Sequence, residues 1–68
     1  SLTPKEREVV TLIARGYRYR EAAEELGISQ KTLETHMRHV FEKLGVASRN
    51  EMTRVAFETG FFRPGDFD

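Results

Sequence analysis

Two stretches of helix-forming sequence are joined by only Gly27-Ile28-Ser29, and this joint restricts the fold more than any other feature of the chain. Gly27 suits the left-handed turn that stops a helix, and Ser29 offers a side-chain oxygen to the free N–H groups of the next. The segment before the joint is short and the segment after it long. Such a pair, joined tightly through a glycine, makes a helix-turn-helix rather than an up-and-down hairpin. The chain has 68 residues, room for one domain, and no cysteine. Neither a disulfide framework nor a Cys-based zinc site can supplement the core, which must come from packed apolar faces. Uninterrupted apolar runs stop at stretches such as Leu12-Ile13-Ala14, far short of the ~20 residues that cross a bilayer. Ser1-Leu2-Thr3-Pro4 does not open a signal peptide. The expectation is an all-α, compact four-helix domain containing a helix-turn-helix, soluble and cytoplasmic.

Thr3, Pro4 and Glu6 mark the first start: a capping side chain, a proline where its missing N–H costs nothing, and a glutamate three residues after the cap. Val9, Leu12 and Ile13 form an inward stripe, Leu2 can staple the first turn and Gly16 stops the helix, predicting 4 to 15. The second helix, built around Glu21-Ala22-Ala23-Glu24-Glu25-Leu26, has a weak start. Arg18 and Tyr19 stand where a small polar cap is preferred, so this end must fray or borrow a partner. Ala22, Ala23 and Leu26 face inward. Ser29 caps a third helix through Leu44, ended by Gly45, whose buried stripe is Leu33, Met37, Val40 and Leu44, extended by Phe41. A fourth begins with a capping box from Ser48 to Glu51 and stops at Gly60. The domain is expected over 1–60, and the aromatic, Pro-Gly-containing 61–68 as a folded-back, partly ordered tail.

Basic and acidic residues number 11 each, which at first argues against nucleic acid as a partner. The balance is uneven along the chain. Residues 29 to 49 hold Lys31, Arg38, Lys43 and Arg49 against Glu34 and Glu42, a surplus of two. Residues 50 to 68 hold Arg54 and Arg63 against Glu51, Glu58, Asp66 and Asp68, a deficit of two. One face can therefore still be basic.

A helix-turn-helix places its second helix in the major groove. Glu34, Thr35 and Arg38 share the exposed side of the third helix and are the candidate base-reading residues. Arg38 can pair bidentately with guanine, and Thr35 offers a hydroxyl or methyl group. Glu34 can accept from cytosine N4 or repel a phosphate, so it either imposes specificity or lowers affinity. Ser29, Gln30, Lys31 and Thr32 occupy the helix start, where free N–H groups and side-chain donors can hold a phosphate, and Lys43, Arg49 and Arg20 are candidates for further backbone contacts. Against this stands the plain alternative that these charges are an ordinary solvated surface.

Leu2-Thr3-Pro4-Lys5-Glu6-Arg7-Glu8-Val9, Gly16, Ala23 through Ser29, Lys31-Thr32-Leu33-Glu34-Thr35-His36, Lys43-Leu44-Gly45-Val46 and Ser48-Arg49-Asn50-Glu51 together resemble the C-terminal DNA-binding domain of LuxR-type, or GerE-type, transcriptional regulators. The resemblance spans about Leu2 to Thr59. It implies a recognition helix over 30–44, contacts from Lys31, Thr32, Glu34, Thr35, Arg38 and Lys43, and a two-fold promoter site of double-stranded DNA. It also implies a homodimer through the fourth helix, whose less polar side carries Met52, Val55, Ala56 and Thr59. A regulatory domain ahead of Ser1 is expected. Arg18, Tyr19 and Ala22 depart from the family pattern, as does Glu34, where a basic residue is common. The space beside Ala22 needs filling by Tyr17, Tyr19 or a phenylalanine.

Catalysis is not expected: there is no nucleophile-base-orienter set and no glycine-rich phosphate loop. His36, His39 and Glu42 are a poor metal set, and no cofactor is implied. The competing reading is a helical protein-interaction module or anti-activator with this shape. His39, between Arg38 and Lys43, is a candidate phosphate neighbour.

Overall fold

The computed structural model describes residues 2–60, which form four helices: α1 (Pro4–Ala14), α2 (Tyr19–Leu26), α3 (Gln30–Leu44) and α4 (Arg49–Glu58). The 61–68 segment lies outside the described residues. Helix α1 starts as the sequence pattern predicts. Thr3 Oγ1 accepts from the Glu6 N–H at 3.1 Å, and Glu6 Oε1 accepts from the Thr3 N–H at 2.9 Å. The helix ends at Ala14, one residue earlier than the pattern predicts, with Arg15 as its cap.

The poorly capped start of α2 borrows its partner from within. Arg18 provides no side-chain cap, but the Glu21 carboxylate accepts from the Arg18 N–H at 2.8 Å. At the other end Gly27 adopts φ 68°, and the Ile28 N–H turns back to the Ala23 carbonyl at 3.0 Å. The same closure ends α3: Gly45 has φ 68°, and the Val46 N–H donates to the Phe41 carbonyl at 3.0 Å. A side chain at these dihedrals is strained, so glycine makes both stops abrupt.

Ser29 caps α3, accepting from the Thr32 N–H at 3.0 Å while donating to Thr32 Oγ1 at 2.9 Å. The box ahead of α4 closes differently from the expected one. Ser48 Oγ accepts from the Glu51 N–H at 3.2 Å, but the Glu51 carboxylate takes the Ala47 N–H at 2.8 Å, one residue upstream of the cap. The reciprocal arm thus holds the loop rather than the cap itself.

Helix α3 packs against each of the other three helices. Leu33 and Val40 are wholly buried and Met37 nearly so, together with Val9, Val10 and Ile13 of α1, Ala22 and Ala23 of α2, and Met52 and Ala56 of α4. Tyr17, Tyr19 and Phe41 pack around the cluster that includes Ala22, as do Leu2, Leu26, Ile28 and Leu44. Two alanines on the α2 face let α3 approach closely.

Leu33 sits fully buried at the start of the α3 stripe. Leu33→Ala should destabilise by about 2–5 kcal/mol, a large share of the roughly 3–10 kcal/mol available to a chain of this length. Urea unfolding followed by helical circular dichroism checks this, with Lys31→Ala as the exposed control.

Candidate nucleic-acid interface

The heptad-like burial of Leu33, Met37 and Val40 forces the intervening residues of α3 outward. Lys31, Thr32, Glu34, Arg38 and Glu42 are exposed, and Thr35 and His36 are half-buried. His39 is exposed beside Arg38. The three expected base-reading side chains thus share the outer face. Thr35 is partly committed, since its hydroxyl donates to the Lys31 carbonyl at 3.2 Å, leaving its methyl group and oxygen lone pairs for another partner. Glu34 accepts a long hydrogen bond, 3.4 Å, from the Gln30 amide one turn earlier.

At the start of α3, Ser29 and Gln30 are exposed along with Lys31 and Thr32. Ser29 serves one of the free backbone N–H groups, that of Thr32. The other N–H groups of the first turn point toward the side where an anion can sit, with the positive end of the helix dipole behind them. Arg20, in the first turn of α2, is exposed as well.

Two of the four cations in the 29–49 segment are turned back on the fold. Lys43 Nζ donates to Glu6 Oε1 at 2.8 Å, tying the last turn of α3 to the first turn of α1. Arg49 Nη2 donates to the Ile13 carbonyl at 3.0 Å, placing a guanidinium at the C-terminal end of α1, where the helix dipole favours it. The sequence marks Glu6 as a capping residue and Lys43 as a phosphate contact; their pairing, 37 positions apart, has no local signal. Of the Glu6 side chain only 4 % is exposed, against 38 % for Lys43. The hydrogen bond from Lys43 leads in holding the Glu6 carboxyl below its ordinary pKa of 4.5, the Thr3 N–H adds to this, and desolvation opposes both.

Helix α4 divides the four residues expected at a subunit contact. Met52 and Ala56 are buried at 0 % and 2 % exposure. Their side chains are consumed by the protomer's own core, so they have no surface to lend a partner, a correction to the expected set. Val55 is half-buried and Thr59 exposed, and Phe57, absent from that set, is the exposed large hydrophobic residue of the described chain. Its place on the cylinder away from Met52 and Ala56 follows from helical periodicity, but which side of α4 faces the core depends on the packing.

No described helix is long and apolar enough to cross a membrane. The profile of bacterial regulatory proteins of the luxR family, GerE, matches residues 1–56. A Mycobacterium bovis protein named as an HTH-type transcriptional regulator is 43% identical over 60 residues, 88% of this chain but only 7% of that protein. Among solved structures, Vibrio cholerae VqmA, described as a LuxR-type receptor and a dimer, superposes with a TM-score of 0.87 at 33% identity, over 90% of this chain and 28% of its own. The transcription factor GerE superposes at 0.80 with 34% identity, over 87% of this chain and 88% of its own.

The lowered Glu6 pKa sets a direction for acid stability. Its contribution is fully present above the unfolded-state value and is lost as pH falls through the folded one. Urea midpoints of the wild type should therefore fall on acidification below 4.5, and Glu6→Gln should be less stable at neutral pH with a flatter acid limb. Parallel acid limbs in the two proteins would count against the pair.

Proposed function

The chain belongs to the luxR family of bacterial regulatory proteins and is a helix-turn-helix DNA-binding domain of transcription regulation; from that premise we propose that α3 enters the major groove of a promoter duplex. The observation that carries this reading is the two-sidedness of α3. Leu33, Met37 and Val40 are locked into the core while Lys31, Glu34, Thr35 and Arg38 lie on the other side, beginning at the end where the helix dipole is positive. Glu34, Thr35 and Arg38 read base edges, with Arg38 suited to guanine O6 and N7. Ser29, Gln30, Lys31 and Thr32 grip one phosphate strand from the helix start, and Arg20 adds a contact from α2. An ammonium has three donors and a guanidinium five, so Lys43 and Arg49 can each share themselves between their internal partner and a phosphate.

A pair of these domains on a two-fold related site doubles the contacts without requiring a strongly basic surface. Phe57, exposed on α4, is suited to such a pairing, with the half-buried Val55 and the exposed Thr59 at the helix end as the remaining candidates. The chain acts as the output part of a longer regulator, in keeping with its 7% share of the Mycobacterium relative, and works where the bacterial chromosome lies, in the cytoplasm. The family is one of DNA-binding regulators rather than enzymes.

Binding to a selected duplex should weaken steeply between low and moderate salt, because bound phosphates release counterions. Lys31→Ala should weaken all sequences about equally and reduce the salt slope by about 1. Arg38→Ala should cost about tenfold or more on the selected site and flatten discrimination among sequences. Fluorescence anisotropy titrations at two salt concentrations make the comparison; equal, sequence-independent losses in both variants remove Arg38 from base reading.

A further inference from the structure

The outer face of α3 carries an arrangement that DNA binding alone does not require. Glu34, Arg38 and Glu42 follow one another at four-residue spacing, are all exposed, and line one shallow groove beside Tyr19 and Phe41. Among the described residues the Arg38 guanidinium has no hydrogen-bond or ion-pair partner. Along α3, Glu34 stands one turn before it and Glu42 one turn after. With Lys43 held by Glu6 and Arg49 by the Ile13 carbonyl, the formal charges left on the outer face of α3 are Lys31 and Arg38 against Glu34 and Glu42, which cancel.

We propose that Glu34 and Glu42 act as a sequence filter around Arg38, lowering affinity for duplex DNA in general and relaxing that penalty only where Glu34 meets a base that donates in the major groove. The inference rests on α3 being the reading helix. Each carboxylate brought toward phosphates is repelled, and a guanidinium flanked by two anions attracts a generic backbone weakly. On the right sequence the balance reverses. Arg38 takes the two acceptors of guanine, and Glu34 accepts from an exocyclic amino group, cytosine N4 or adenine N6. Four residues of helix advance about 6 Å, close to two base-pair steps of roughly 3.4 Å. The preferred site therefore holds a guanine and, about two base pairs away, a cytosine or adenine on the strand facing Glu34. Glu42, a turn further from the helix start, has no base to accept from and contributes repulsion alone.

The test starts with selection of binding sites for the wild-type chain from a random duplex pool at low salt. Affinities of the wild type, Glu34→Gln, Glu34→Ala and Glu42→Gln are then measured on the selected duplex and on an unrelated one. Both positions are exposed, and unchanged thermal melts confirm that folding is retained. Glu34→Gln should raise affinity for the unrelated duplex by about threefold to tenfold with a smaller gain on the selected site, and Glu42→Gln should raise affinity for both duplexes by a similar factor. Replacing the amino-bearing base opposite Glu34 by thymine should cost the wild type about tenfold but leave Glu34→Ala indifferent, while Glu34→Gln keeps the preference through its carbonyl oxygen. Unchanged affinity of both Gln variants for the unrelated duplex overturns the filter while leaving α3 as the reading helix. Failure of the wild type to bind any duplex at low salt overturns both.

Discussion

One helix in this domain has to satisfy two environments at once, and the rest of the fold is arranged to allow it. Helix α3 contributes Leu33, Met37 and Val40 to the core and is contacted by α1, α2 and α4, yet a full face of it stays in water. Three helices on one side hold its axis and rotation, since rotating α3 by one residue position swings its stripe by about 100° and puts charges into the core. This immobilisation gives the exposed residues a defined geometry. A helix with freedom to roll could not hold Arg38 and Glu34 in fixed places on that face.

The ion pair between Glu6 and Lys43 belongs to the same problem. It joins the first turn of α1 to the last turn of α3, while Arg49 fastens the start of α4 onto the end of α1. Both contacts turn cations inward that the linear sequence offers as DNA contacts. Structural fixation therefore draws on the same residues as electrostatic attraction. Of the surplus in the 29–49 segment, Lys43 is neutralised by Glu6 and Arg49 keeps its charge against a neutral carbonyl, away from the outer side of α3, where Lys31 and Arg38 balance Glu34 and Glu42. A face built this way offers individual donors and acceptors in fixed places rather than a basic patch.

Much of the fold is legible because its signals are local. Thr3 with Glu6, Ser29, and the glycines at 27 and 45 act within a turn of themselves, and the structure uses each as its chemistry suggests. The start of α2 is harder to read because Arg18 is no cap, and the solution, Glu21 serving the Arg18 N–H, is visible only once the turn is formed. The Glu51 carboxylate illustrates the reverse error: the spacing for a reciprocal box is present, but the side chain reaches Ala47. The candidate base-reading side chains were legible from the stripe opposite them. On α4 a weaker pattern misleads, because Met52, Val55, Ala56 and Thr59 look like one low-polarity side, and nothing local says which of them α1 and α3 will cover.

By itself, then, the sequence determined what short-range chemistry can determine: four helices with their stops, a tight joint between the second and third, and a two-faced third helix. These follow from backbone sterics, capping hydrogen bonds and periodicity, all of which act over a few residues. Only the tertiary structure decided the partners of Lys43 and Arg49, the burial of Met52 and Ala56, and the net charge left on the outer face of α3. Each depends on groups more than thirty positions apart in the chain or on the rotation of one helix against another. Such contacts are set by how the apolar faces pack together, and no local pattern encodes them.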